Sequence, residues 1–110
     1  MAIAAVILFA LTILGGAYLI TYVLEGKNTP KGVAILHGAV GSLALITLLI
    51  AGFYFHVLLK VLIIFIAVAI GGIFLAYYDL TGKKIPQILA LGHGAMAIIG
   101  FIMLLLVVFK

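Results

Sequence analysis

The sequence lacks cysteine, arginine and tryptophan, and its only carboxylate side chains are those of Glu25 and Asp79. Without cysteine, the chain can form no disulfide, no iron–sulfur cluster and no thiolate metal site. The six lysines give a formal net charge of +4, which is too sparse for a nucleic-acid surface. No nucleic-acid partner is therefore expected, and no hydrolase or phosphate-loop motif occurs.

The scarcity of charge is matched by an abundance of apolar residues. Of the 110 residues, 69% are hydrophobic and 7% are charged, and the mean hydropathy is +1.60. About a quarter of the residues in a soluble domain are charged. The composition therefore predicts an integral membrane protein, whose first partner is the lipid bilayer.

Four apolar segments are about 20 residues long, the length at which a helix crosses the hydrocarbon. The breaks after the first and third segments contain charges, a glycine and a proline suited to a first helical turn. The middle break, at 51–56, is aromatic and has no formal charge apart from His56, which predicts a tight interfacial turn. The predicted helices are 2–24, 31–52, 56–79 and 85–109.

The two halves of the chain resemble each other at one fixed offset, the one that aligns His37 with His93, which indicates a tandem duplication. We predict one transmembrane domain over 1–110, built from two helical hairpins at about 1–54 and 57–110. Since each hairpin crosses the membrane twice, the halves enter it in the same direction, and a pseudo-two-fold axis runs along the membrane normal. The fold class is therefore an all-α membrane protein, a four-transmembrane-helix bundle. The matching residues are Gly15-Gly16 with Gly71-Gly72, Tyr22 with Tyr78, Gly26-Lys27 with Gly82-Lys83, Pro30 with Pro86, and His37-Gly38-Ala39 with His93-Gly94-Ala95.

The distribution of lysine predicts the orientation. Four of the six lysines lie in or beside the two polar loops, whereas Lys60 and Lys110 lie on the other side. The positive-inside rule then places the loops in the cytoplasm and both termini outside, in the cytoplasmic membrane of a prokaryote. Glu25 and Asp79 are expected to be solvated loop residues.

His37 and His93 are ionisable residues inside apolar spans, where such residues are rare and usually functional. The duplication places them at equal depth, roughly 10 Å from the loop end of their helices, and lets them face each other across the axis. The residues three before, four after and seven after each histidine are all small, which leaves a slot for a flat apolar ligand. These small residues are Ala34, Gly41 and Ala44 around His37, and Ala90, Ala97 and Gly100 around His93.

We predict that this ligand is one non-covalently bound haem b, whose iron accepts two neutral imidazoles. The haem carboxylates would bind to cations and hydrogen-bond donors at the nearest membrane face, namely Lys27, Lys31, Lys83, Lys84 and Thr29. The metal ligands are then His37 and His93. The remaining predicted cofactor-binding residues are Gly15, Gly16, Lys27, Lys31, Gly38, Gly41, Gly71, Gly72, Lys83, Gly94 and Ala97.

Four spans with one histidine on each of two helices, and glycine beside each histidine, resemble the membrane-bound b-type cytochromes. The resemblance covers the layout of the whole chain, and its motif is only His-Gly. It implies one-electron transfer with a quinone or a small redox partner, and it leaves open an oxidoreductase that acts on a quinone or superoxide. Families of that kind often carry two haems, whereas this chain has one matched histidine pair.

Other interpretations remain open. Gly and Ala stripes often serve only to pack helices, and a buried histidine can simply bond a neighbouring helix. The pair could instead titrate in a transporter or a proton-conducting subunit, or the chain could be a structural assembly protein. Two histidines are too few ligands for zinc. Met96 could help to bind Cu(I), but Val40 replaces it in the first repeat, which favours a core residue.

His56 and Lys60 lie four residues apart near the outer end of the third span. The simpler interpretation is that both side chains extend to the interface. The functional alternative is a cationic mouth that attracts a quinone head group, superoxide or another small anion. A bundle of this size can also form a homodimer.

Overall fold

A computed structural model describes all 110 residues and contains four long helices and no strand. Each helix is long and apolar enough to cross a membrane, so the prediction of an all-α, multi-pass membrane fold with four helices is confirmed. The helices are α1 (Ala2–Leu24), α2 (Lys31–Tyr54), α3 (Leu59–Leu80) and α4 (Gln87–Val108), with a short 3₁₀ turn at His56–Leu58 before α3.

The two polar loops have the same backbone conformation. α1 and α3 are followed by Gly26 and Gly82, whose φ angles are +70° and +73°. Glycine adopts this left-handed conformation without steric cost. The backbone N–H of the next residue then bonds back into the last helical turn, as Lys27 does to the Tyr22 carbonyl at 2.9 Å. Each loop ends in a proline that precedes the first residue of the following helix.

The connection between α2 and α3 is as short as the sequence predicts, but α2 extends to Tyr54 rather than ending at residue 52. Gly52 lies within the helix and is buried. A Cβ atom at this position would lie 3.0 Å from Cδ2 of Leu59. The glycine therefore lets the start of α3 pack closely against α2, and it does not end the helix. At the second polar loop, α4 begins at Gln87 rather than at residue 85.

The helices form a four-membered ring in which α1 and α3 each pack against both α2 and α4. Two aromatic contacts cross the interior. The rings of Phe9 and Phe65 stack with their centres 3.9 Å apart, and the rings of His37 and His93 meet edge to face at 6.4 Å. Phe65 follows Phe9 at the same offset at which His93 follows His37, so equivalent positions of the two repeats meet at the centre of the bundle.

The packed core occupies the half of the bundle that holds the chain termini. A cluster of 11 buried side chains, including Phe9, Leu48, Phe65 and Leu104, fills this half. Beyond the helix midpoints, towards the polar loops, only Thr29 and Ala90 are buried. The histidine pair lies just past the packed core, in the more loosely packed half.

Asp79 is not the solvated loop residue that the sequence suggested. It belongs to α3, its side chain is 11% exposed, and it forms an ion pair with Lys31 at the start of α2. The Thr29 hydroxyl donates to the same carboxylate at 2.7 and 2.8 Å. The prediction was wrong because α3 continues past Asp79 and holds its carboxylate against the start of α2. Glu25, as expected, is exposed.

A related polar contact joins α4 to α1 on the opposite side of the bundle. Gln87 is the repeat equivalent of Lys31, and it donates from Nε2 to the carbonyl oxygens of Val23 at 3.3 Å and Leu24 at 3.4 Å. Val23 is in turn the equivalent of Asp79. The α2–α3 and α4–α1 seams are therefore both closed by a polar contact at the loop end, one with a carboxylate and one with backbone carbonyls.

Candidate functional site

Each histidine of the pair is held by a backbone carbonyl of the preceding helix. Nδ1 of His37 lies 2.9 Å from the Thr12 oxygen, and Nδ1 of His93 lies 2.8 Å from the Val68 oxygen. Because a carbonyl can only accept, Nδ1 must carry the proton in the neutral ring. This contact leaves Nε2 unprotonated, with a lone pair free to bind a metal.

The glycine pairs explain why these carbonyls are available. In a helix, side chains lean towards the N-terminus and cover the preceding turn. The residues three and four positions after Thr12 are Gly15 and Gly16, so no side chain covers its oxygen. A Cβ atom at Gly16 would lie 2.9 Å from Cε1 of His37, closer than such atoms normally approach. The imidazole therefore occupies the space that a side chain would fill.

The second repeat has the same arrangement around Val68. A Cβ atom at Gly72 would lie 3.1 Å from Cε1 of His93, and one at Gly71 would lie 3.5 Å from its Nδ1. The sequence interpretation assigned the four glycines to a bound macrocycle. In the structure these glycines leave the space in which the two histidine rings pack.

The distance between the two ring centres is compatible with one metal atom bound by both rings. Their centres are 6.4 Å apart and their planes are inclined by 80°. An imidazole nitrogen binds a metal at about 2 Å, and the ring centre lies roughly 1 Å further away, so two axial imidazoles place their ring centres about 6 Å apart. Neither Nε2 atom has a hydrogen-bond partner, and neither is sealed in the interior. The donor atoms are therefore free and accessible.

The other predicted small residues divide into two groups. A Cβ atom at Gly38 or Gly94 would meet nothing within 4 Å, so these glycines do not contribute to a packed wall beside the histidines. Gly41 packs α2 against α1, where a Cβ atom would lie 3.2 Å from Cγ2 of Thr12. Ala97 is partly buried against the core.

The predicted lysines lie at the loop end, and none bonds to a histidine. Lys27 pairs with the exposed Glu25 at 2.7 Å. Lys83 donates to the Tyr77 hydroxyl at 3.1 Å. Only Lys31 lies in a seam between helices, where it bonds to Asp79 and, at 3.2 Å, to Thr29. It precedes His37 by six residues, or about 9 Å of helix.

The remaining polar candidates lie away from the pair. Met96 is 41% exposed, so it is not the core residue that the sequence favoured, and it faces away from the bundle. His56 and Lys60 are exposed at the opposite end. No group of three or more His, Cys, Asp or Glu side chains could hold a metal ion. Among these residue types, the histidine pair therefore offers two ligands to a metal.

Three features of the site were not predicted from the sequence. They are the carbonyl oxygens of Thr12 and Val68 and the stacked Phe9–Phe65 pair beneath the histidines. Two signals would have indicated them. A glycine pair three and four residues after a position marks an uncovered carbonyl, and the offset between the repeats brings Phe9 and Phe65 together as equivalent residues.

Comparison with known protein families, with curated proteins and with solved structures finds no match. The function of the histidine pair is therefore inferred from the residues and their geometry alone.

Proposed function

We propose that the chain is a membrane b-type cytochrome that binds one haem b between His37 and His93 and carries out one-electron transfer. The observation that carries the proposal is the neighbouring pair of imidazoles, 6.4 Å between ring centres, each with Nδ1 on a backbone carbonyl and Nε2 without a hydrogen-bond partner. When bound, haem supplies an iron that changes oxidation state by one electron. A membrane quinone or a small redox partner is the proposed exchange partner.

The chain's own residues would orient the ligands and limit access of water. The carbonyls of Thr12 and Val68 fix the ring tautomers and make Nε2 a better donor. The stacked rings of Phe9 and Phe65 belong to the packed core that separates the pair from the terminal end. In the other half, towards the polar loops, few side chains are buried.

The proposed partner of one haem carboxylate is Lys31, in the seam at the start of α2. An ammonium group donates up to three hydrogen bonds, and Lys31 uses one on Asp79 and one on Thr29. One donor of Lys31 therefore remains for a haem carboxylate. Lys27 and Lys83 lie on the outer surface, with Glu25 and Tyr77 as partners, and are less suited to this role.

An absorption spectrum tests this proposal directly. The purified protein, or the apoprotein titrated with haem, should show a Soret band, and its reduced form should show the sharp visible bands of six-coordinate, low-spin iron. The haem content should reach one per chain. A preparation that takes up no haem contradicts the proposal. If it also shows pH-dependent ion flux in vesicles, the pair belongs to a transporter; if it binds copper instead, the pair is a Cu(I) site.

The proposed orientation is that of the positive-inside rule, with the polar loops in the cytoplasm and both termini outside, in a prokaryotic cytoplasmic membrane. A reporter enzyme that is active only outside the cytoplasm should be active when fused after Lys110. The same reporter inserted at Asn28 should be inactive. The reverse pattern would invert the proposed topology.

A further inference from the structure

At the loop end of the bundle, the lysines without a carboxylate partner all lie in one of the two polar loops. Of its four lysines, Lys27 is paired with Glu25 and Lys31 with Asp79. Lys83 and Lys84 have no carboxylate partner. The uncompensated charge therefore lies in the second polar loop, between α3 and α4.

Lys83 is held against the surface of α3 rather than extended into water. Its Nζ lies 3.1 Å from the Tyr77 hydroxyl and 4.9 Å from the centre of the Tyr77 ring. Tyr77 is 53% exposed near the end of a membrane-spanning helix, the depth at which tyrosine rings meet lipid head groups. The ammonium uses one of its three donors on Tyr77 and keeps two for another acceptor.

Lys84 stands at the head of a shallow groove. The groove has a volume of about 390 Å³ and is also lined by Ile85, Pro86, Gln87 and Ile88. Ile88 is 86% exposed on the first turn of α4, one residue deeper along the helix than Gln87. The surface thus combines a cation at the interface with an apolar wall that continues towards the bilayer.

The first polar loop offers a comparison, because the duplication gives it equivalent positions. Lys27 is the counterpart of Lys83, but Asn28 replaces Lys84, Thr21 replaces Tyr77 and Gly32 replaces Ile88. Glu25, which neutralises Lys27, has Thr81 as its counterpart. The charged surface is therefore particular to the second loop and is not a general consequence of the repeat.

We propose that this surface binds the phosphate of an anionic phospholipid through Lys83 and Lys84, with an acyl chain lying along Ile88. The position of Lys83 over the exposed ring of Tyr77 favours a lipid over a soluble acidic protein, because it keeps the charge at the bilayer surface. Clusters of cations at this level attract anionic lipids, and each lysine adds to the attraction. The proposal does not depend on the identity of the cofactor.

Lipid binding can be measured by native mass spectrometry of the full chain in detergent with added dioleoylphosphatidylglycerol. The wild-type chain should retain this lipid in preference to dioleoylphosphatidylcholine. The double variant Lys83→Gln/Lys84→Gln should lose at least about tenfold in apparent affinity for phosphatidylglycerol. Its phosphatidylcholine binding should be unchanged.

The matched control is Lys27→Gln, which removes a lysine from the equivalent position of the first loop and should retain full binding. Equal loss in this control would show a general effect of charge and overturn the site. So would equal retention of the two lipids. Displacement of phosphatidylglycerol by millimolar inorganic phosphate would identify a free-anion site instead. A double variant that binds phosphatidylglycerol as the wild type does would leave the loop available to an acidic protein and also refute the proposal.

Discussion

Replacement of either ligand, in His37→Ala or His93→Ala, is expected to abolish the six-coordinate, low-spin spectrum of the haem-loaded protein. On the proposed function each imidazole would supply one ligand nitrogen to the haem, and no group of three or more His, Cys, Asp or Glu side chains offers a substitute site. The two variants should behave alike, because the two rings have equivalent carbonyl contacts of 2.9 and 2.8 Å. Absorption spectra of the oxidised and reduced proteins, with haem content per chain, measure the effect.

The control is His56→Ala, since His56 is exposed in the turn at the opposite end of the bundle. Its spectrum and haem content should match those of the wild type. A low-spin spectrum that survives in either His37→Ala or His93→Ala would refute the ligand assignment. Loss of haem in His56→Ala, with the fold intact by circular dichroism, would move the site to the other end of the bundle.

Haem binding should be nearly as sensitive to substitution of the glycines that contact the two histidine rings as to substitution of the histidines themselves. Gly16→Ala introduces a Cβ atom 2.9 Å from Cε1 of His37, and Gly72→Ala introduces one 3.1 Å from Cε1 of His93. The ring must move, and its Nδ1 then loses the carbonyl that orients it. Overpacking of this kind typically costs about 1–3 kcal/mol, and at this site we expect it to appear as weaker haem binding, by about tenfold or more.

Gly38→Ala and Gly94→Ala are the matched controls. Each makes the same chemical change one residue after a histidine, but the new methyl group would meet nothing within 4 Å. Haem titration of the four variants should therefore show weaker binding for Gly16→Ala and Gly72→Ala than for Gly38→Ala and Gly94→Ala. If all four bind haem as tightly as the wild type, the positions of the rings do not depend on Gly16 and Gly72. If all four fail equally, helix conformation rather than ring placement is responsible.

Much of the fold follows from features that the sequence displays directly. Runs of about 20 apolar residues define the spans, because the hydrocarbon core sets the length of a crossing helix. Gly26 and Pro30 mark where one helix ends and the next begins, and their counterparts Gly82 and Pro86 do the same in the second repeat. The constant offset between the repeats predicts that His37 and His93 lie at equal depth.

The contacts that hold the site were harder to predict, for a physical reason in each case. Every residue has a carbonyl, so sequence alone does not show that the oxygen of Thr12 binds His37. The pairing of Asp79 with Lys31 and Thr29 depends on where α3 ends relative to α2, and such boundaries are set by packing as well as by local sequence. Gly52 likewise resembled a helix end, whereas it permits a close contact.

The central contacts also bear on how the chain could have originated. In a symmetric dimer, residues at the two-fold axis meet their own copies, and all other contacts occur twice. Phe9 with Phe65 and His37 with His93 are contacts of the first kind. The carbonyl bonds to the two histidines are a contact of the second kind.

The central contacts therefore have the symmetry expected of a homodimer of a single hairpin, in which one histidine per chain would complete the site. Positions away from the axis do not keep this symmetry. Asp79 and Lys31 on one seam, where the other has Val23 and Gln87, are a divergence that an obligate homodimer could not have acquired on one side alone.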